Sequence, residues 1–225
     1  MSALRMAVIG VGALGRHHAR IVSQIPGVEL IAVADPSEAQ GRQVAESAGT
    51  KWVADHRTLI DDVDAVTIAV PTGFHHRVAT DFLENGIHSL VEKPLAADLT
   101  EAVQLVQIAE RIGAILQVGH VERFNPAFQA AAKLCDQPRY IRAERLSPFS
   151  FRSTDIGVVH DMMIHDIDLV LSLVRSQVSR IEAFGVTLMG PHEDVVQARL
   201  TFENGCVADL SASRVHPTTR RAAPI

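Results

Sequence analysis

Asp161 and His165 stand four residues apart in the stretch HDMMIHDID, residues 160–168. Four residues is one helical turn, so on a helix the two side chains are neighbours on one face. A carboxylate beside an imidazole orients the ring and favours its protonated form. Such a couple can take the proton from a substrate hydroxyl. The surrounding run, GVVHDMMIHDIDLVLSLV, is otherwise almost wholly apolar. At about 100° per residue, Asp161, His165, Asp168 and Ser172 share a stripe about 60° wide, with His160 and Asp166 the exceptions outside it. A helix apolar on its remaining faces is a buried helix, so the stripe should face a cleft or polar partners. A structural buried ion pair is the competing account of Asp161 and His165. His160 and His165, five apart, point in different directions and no HExxH is present, so no metal site is expected.

A second constellation lies near the N-terminus. Gly10, Gly12 and Gly15 form GVGALG directly between a strand-like run and a helix-like one. In that context one glycine permits a tight turn, one admits a pyrophosphate close to the backbone, and one lets helix and strand pack. Ala13 and Leu14 complete the turn, and the diphosphate would lie at the positive end of the following helix. Asp35 closes VELIAVAD twenty residues beyond Gly15, where a carboxylate accepts hydrogen bonds from the adenosine ribose and repels a 2′-phosphate. NAD is therefore the expected cofactor. A structural turn beside an unrelated surface aspartate is the alternative.

The elements that must position these residues alternate along the first half. RMAVIGVG, VELIAVAD, AVTIAV, SLVEKP and ILQVGH read as buried parallel strands. HHARIVSQI, SEAQGRQVAESA, HHRVATDFLENG and TEAVQLVQIAERIG read as helices between them, with Ser37 as an N-cap and Gly86 and Gly113 at C-termini. That alternation predicts an α/β fold, a Rossmann doubly wound parallel sheet over residues 1–120. Residues 121–225 read as an incomplete α+β domain with a mainly antiparallel sheet. VERFNPAFQAAAKL is expected to be a loop followed by a helix, and YIRAERLS and RIEAFGVTLM to be strands. A hairpin turning at Asn204-Gly205 follows.

Together GVGALG, VADPSE, Glu92-Lys93-Pro94 of VEKP and the Asp161/His165 pair resemble, in order, the motifs of the Gfo/Idh/MocA oxidoreductase family. The resemblance runs from about Arg5 to Val215. It implies NAD- or NADP-dependent oxidation or reduction of a hydroxyl or keto carbon on a sugar or cyclitol. Lys93 would then reach the reacting oxygen, with His165 as acid or base and Asp161 beside it. Glu92, Pro71, Thr72 and His75 become candidate cofactor contacts, with Arg123 and Asn125 as cofactor or substrate contacts. Asn125 before Pro126 is equally turn chemistry. VGHVERFNP resembles a narrower branch, nucleotide-sugar 3-dehydrogenases, and suggests UDP-N-acetylglucosamine as substrate. The family implies a homo-oligomer.

Bulk properties bound the rest. The 225 residues carry a net charge of −5 with no long basic block, which speaks against nucleic acid. Cys135 and Cys206 make neither a disulfide framework nor a metal spacing. Neither a signal peptide nor an apolar run of ~18 residues is visible, so a cytoplasmic protein without a membrane partner is expected. The chain is shorter than the family pattern, and VHPTTRRAAPI no longer reads as strand. An incomplete sheet with an unpaired edge is expected, with poor stability or association as the consequence. A catalytically silent NAD-binding fragment is the alternative function.

Overall fold

The computed structural model describes residues 2–150 and 156–222. The chain divides into two compact units, residues 1–119 and 120–225.

The first unit is a six-stranded, all-parallel sheet in the order β3-β2-β1-β4-β5-β6. Its strands are β1 (Leu4–Ile9), β2 (Val28–Ala34), β3 (Lys51–Val53), β4 (Ala65–Ile68), β5 (His88–Val91) and β6 (Leu116–Val118). This is the doubly wound dinucleotide-binding order, in which β1 and β4 flank the point where the winding reverses. The helices are α1 (Gly15–Val22), α2 (Glu38–Ala48), α3 (His75–Leu83) and α4 (Leu99–Ile112). They bury two cores. One holds Ile9, Ile68, Phe82, Val91 and Leu105, and the other holds Val8, Val33, Val22 and Val44. Two buried faces explain why these strands read as continuous apolar runs. Lys51–Val53 was not anticipated as a strand, since three residues at a sheet edge carry no readable period. Ser37 occupies the α2 N-cap in extended conformation, yet its hydroxyl makes no cap bond. Asp98 does cap α4, accepting from the Glu101 N–H, and Gly113 ends that helix.

The second unit is a five-stranded mixed sheet in the order β11-β7-β10-β9-β8. Its strands are β7 (Tyr140–Leu146), β8 (Val178–Val186), β9 (Val195–Phe202), β10 (Val207–Ser213) and β11 (Arg220–Ala222). Among the described residues of this unit, only β7 and β10 pair in parallel. The β9–β10 hairpin turns at Asn204-Gly205, with Gly205 at φ +83°, as the Asn-Gly signal predicted. One sheet face packs its alternating Ile141, Ala143, Ala208, Leu210 and Leu200 against α6 (Ile164–Val174). A 3-10 turn, Val121–Phe124, and α5 (Pro126–Leu134) precede the sheet.

Two corrections follow. The tail expected to leave the strand pattern instead contributes β11, paired antiparallel to β7. Three residues flanked by prolines and threonines gave no alternation to read; residues 223–225 lie outside the described set. The expected single helix from Gly157 begins instead with a π-helical turn, Val159–Met163, whose wider spacing ends where the Ile164 N–H bonds back to Val159 O. The ideal angular projection therefore fails for Asp161. β8 is a terminal strand exposed from Ser179 onward, including Ile181 and Phe184.

Candidate cofactor and catalytic residues

The glycine turn leaves the carboxyl end of β1 with Gly10 at φ +80°, a conformation that favours glycine. A Cβ there would also press on Val70 at 2.8 Å, and one on Gly15 would collide with the Gly10 carbonyl oxygen. Gly12 differs. A Cβ on it would touch only Gln40, at 3.8 Å. Two glycines thus serve the fold, while the third leaves open room beside the backbone. Ala13 and Leu14 are exposed at the start of α1. Asp35 is buried, its Oδ2 accepting from the Val11 N–H at 2.9 Å and its Oδ1 from the Ser37 N–H at 2.9 Å. The carboxylate therefore ties the glycine turn to the end of β2. Each oxygen retains a second acceptor direction for a ribose hydroxyl. The open space at Gly12, the Asp35 acceptors and the N-terminus of α1 fit an adenine dinucleotide.

After β4, Pro71 and Thr72 open a short 3-10 turn into α3, and Pro71 is exposed. His75, which opens α3, is buried. Its Nδ1 lies 2.8 Å from the Pro94 carbonyl oxygen and its Nε2 2.9 Å from that of Val70. Beyond β5, Glu92 is half-buried with its Oε1 2.8 Å from His18 Nε2 of α1. Burial opposes the Glu92 charge, but the His18 hydrogen bond and charge, with the Lys93 N–H, outweigh it and hold the carboxyl below its usual range. Lys93 is half-buried at this same carboxyl edge of the sheet.

In the second unit, Asp161 sits in the π-helical turn and His165 one residue into α6, both half-buried. The turn is anchored by Glu193, whose Oε1 accepts from the Val159 N–H at 3.2 Å and whose carbonyl accepts from Val158. Glu193 adjoins Asp194, which is fully buried and bonded to Arg214 Nε at 2.6 Å and to the Leu188 and Met189 N–H groups.

The remaining aspartates of the helix meet arginines. Asp168 takes a two-pronged contact from Arg123, at 2.6 and 2.7 Å. Asp166 takes one from Arg145 of β7, at 2.7 and 3.2 Å, and Arg145 also reaches Glu122 at 3.2 Å. Burial pushes the Asp166 carboxyl up against the opposing pull of Arg145, which itself stays charged. Ser172 donates to Leu169 O within its own helix. Asn125 caps α5, accepting from the Ala127 N–H, and its amide donates to Glu122.

Sequence reasoning missed His18, Arg145 and Glu193 as partners of the motif residues. Their partners lie far along the chain, so no spacing could reveal them. The placement of His18 three residues past Gly15, on the first turn of α1, was the one available hint.

Comparison with known proteins agrees with these features. Residues 4–120 match the model described as "Oxidoreductase family, NAD-binding Rossmann fold", and residues 128–223 match the GFO/IDH/MocA C-terminal domain. The chain belongs to the Gfo/Idh/MocA oxidoreductase family. Within this family it is 39% identical over 213 residues to UDP-N-acetylglucosamine 3-dehydrogenase of Acidithiobacillus ferrooxidans, covering 94% of this chain and 67% of that protein. It is 34% identical to scyllo-inositol 2-dehydrogenase (NAD(+)) of Bacillus subtilis, covering 95% and 68%. The chain thus spans about two thirds of the length of these curated relatives. A solved structure of the Acidithiobacillus enzyme superposes with a TM-score of 0.92 at 38% identity, covering 99% of this chain and 74% of that one. The myo-inositol 2-dehydrogenase of Lactobacillus plantarum superposes at 0.88 with 25% identity, covering 98% and 73%. As a Gfo/Idh/MocA member the chain carries an NAD-binding domain. Among its described residues no helix is long and apolar enough to cross a membrane.

Proposed function

We propose that this chain is an NAD-dependent dehydrogenase of a sugar or nucleotide-sugar CH–OH group, with the 3-hydroxyl of UDP-N-acetylglucosamine as the first substrate to test. The observation that carries this reading is the position of Lys93. It follows β5 at the carboxyl edge of the sheet whose β1 leads into the glycine turn, and ligands of such sheets bind at that edge. Bound NAD supplies the hydride acceptor. The residues of the chain handle binding and the proton. The Lys93 ammonium polarises the hydroxyl oxygen and favours its developing negative charge. The His165 imidazole is the proposed acceptor of the hydroxyl proton as the C–H pair departs as hydride and the C=O bond forms. Gly12 and Asp35 seat the dinucleotide, joined by Ala13, Leu14, Pro71 and Thr72. Self-association through the open edge strand β8 belongs to the same proposal.

Turnover is followed by NADH absorbance with a panel of UDP-sugars and inositols. Lys93→Ala is expected to lower turnover at least a hundredfold, within the range for loss of an acid–base or electrostatic group, with NADH affinity within about twofold. Undiminished turnover in that variant removes Lys93 from the chemistry. NADH binding without turnover of any sugar by the parent chain supports a silent nucleotide-binding protein instead.

A further inference from the structure

We propose that His18 and His75 are positioning residues that grip the Glu92–Pro94 segment from two sides and thereby fix the Lys93 amine. The proposal rests on the catalytic role of Lys93 given above, but the grip itself is a property of the first unit.

The segment between β5 and the start of α4 is irregular backbone outside the strands and helices. Two imidazoles supply what the secondary structure does not. From α1, the His18 ring meets Glu92 Oε1 at 2.8 Å, and the other Glu92 oxygen lies 3.3 Å from the Lys93 N–H. On one side Glu92 is bounded by Gly119 after β6, which packs so closely that a Cβ there would lie 2.9 Å from its carboxylate. From α3, His75 spans two carbonyl oxygens, those of Val70 and Pro94, at 2.9 and 2.8 Å. Pro94 is buried and directly follows Lys93. Residues on either side of the lysine are therefore tied to different helices.

The ties also reach the cofactor side. α1 begins at the glycine turn, and Val70 follows β4 at the opening of the 3-10 turn that holds Thr72. The same two rings that hold the Lys93 segment are thus fixed to the elements that seat the dinucleotide. Displacement of a reacting group by about 1 Å can cost on the order of a hundredfold in rate. Glycine-turn residues and the lysine need such a common frame, and neither histidine needs to touch substrate to provide it. Burial explains the strength of the arrangement. His75 is 1% exposed, so its carbonyl contacts face no competition from water.

The two rings predict different rescue patterns. His18 uses only Nε2, whose place the amide nitrogen of glutamine can take. His75 faces a carbonyl oxygen from each nitrogen and with one N–H donates to only one, so the grip needs that N–H on Nδ1 towards Pro94, a donor position that asparagine reproduces and glutamine does not.

The test measures Lys93 directly, by the rate at which an acylating reagent modifies it in the NAD-bound protein, read by mass spectrometry across a pH series. kcat, KM and NADH affinity are measured beside it. His18→Ala is expected to shift the Lys93 labelling profile and lower kcat about tenfold or more, with KM and NADH affinity within about threefold. His18→Gln is expected to recover most of both, and His75→Asn, which keeps a donor towards Pro94, is expected to recover more than His75→Gln. Should the His75 variants fail to fold, the half-exposed His18 pair still decides the matter. Unchanged Lys93 labelling and unchanged kcat in His18→Ala would overturn the proposal, as would a fall in His18→Gln equal to that in His18→Ala. A labelling shift together with full turnover in Lys93→Ala would leave the grip standing and refute the catalytic reading instead.

Discussion

Replacing Gly12 with alanine separates a glycine kept for a ligand from one kept for the fold. Gly12 is outside the left-handed region, and the nearest atom to an added Cβ is Gln40 Nε2 at 3.8 Å, an ordinary van der Waals contact. The free protein should therefore tolerate the change within about 0.5 kcal/mol. Any shift should be upward, since alanine restricts the unfolded chain by about 0.4–1 kcal/mol at a compatible site. With NAD bound, the methyl would stand where the diphosphate approaches. Overpacking of that kind costs about 1–3 kcal/mol, which is roughly five- to 150-fold in affinity at 1.4 kcal/mol per tenfold. Gly15→Ala is the contrasting variant, because its Cβ meets the Gly10 carbonyl oxygen and must distort the turn. Urea unfolding of the free proteins and fluorescence titration with NADH measure the two quantities separately. Gly12→Ala that binds NADH as tightly as the parent, or that loses more than about 1 kcal/mol of stability, refutes the assignment of Gly12 to the cofactor.

Three further outcomes are expected. Asp166→Ala should cost about 3–5 kcal/mol by leaving the buried Arg145 guanidinium without its main partner, while Arg145→Met with Asp166→Leu should cost much less; a double-mutant cycle in urea checks the pair, and a loss under about 1 kcal/mol for Asp166→Ala would contradict it. Burial opposes the Asp194 charge, but the Met189 and Leu188 N–H groups and Arg214 outweigh it and hold its pKa below the ordinary value. Its contribution to stability is therefore complete above the unfolded value of about 4 and fades as pH falls through the lower folded value. Melts below pH 5 should show that fade in the parent and a flatter profile in Asp194→Asn, and parallel profiles would contradict the shift. Finally, Phe184→Glu on the exposed β8 should lower self-association in sedimentation velocity at micromolar concentration, and a parent chain that sediments as a monomer there would remove β8 as a contact surface.

The first unit was legible because parallel strands covered on both faces leave unbroken apolar runs, and because GVGALG and Asp35 mark the turn and strand end they occupy. The short strands Lys51–Val53 and Arg220–Ala222 were not, since backbone pairing with a neighbour makes them strands and no side-chain pattern does. On the helix, periodicity located Asp161 and His165 but misjudged their company. The π-helical turn shifts the register before His165, and Asp166, outside the expected stripe, is the buried partner of Arg145. Long-range pairs such as His18 with Glu92 leave no trace in spacing, whatever their weight in the site.

The parallel pairing of β7 with β10 carries a consequence for synthesis. Tyr140 opposes Val207, so nearly all of the second unit must emerge before its central ladder can form. The apolar side of β7, with Ile141 and Ala143, waits through that interval without its neighbour. A non-local closure of this kind slows collapse into the native arrangement and exposes an open strand to other nascent chains. The first unit, whose paired strands lie earlier along the polypeptide, can be complete by then, and a ribosome would hold a finished nucleotide fold tethered to an unfinished sheet.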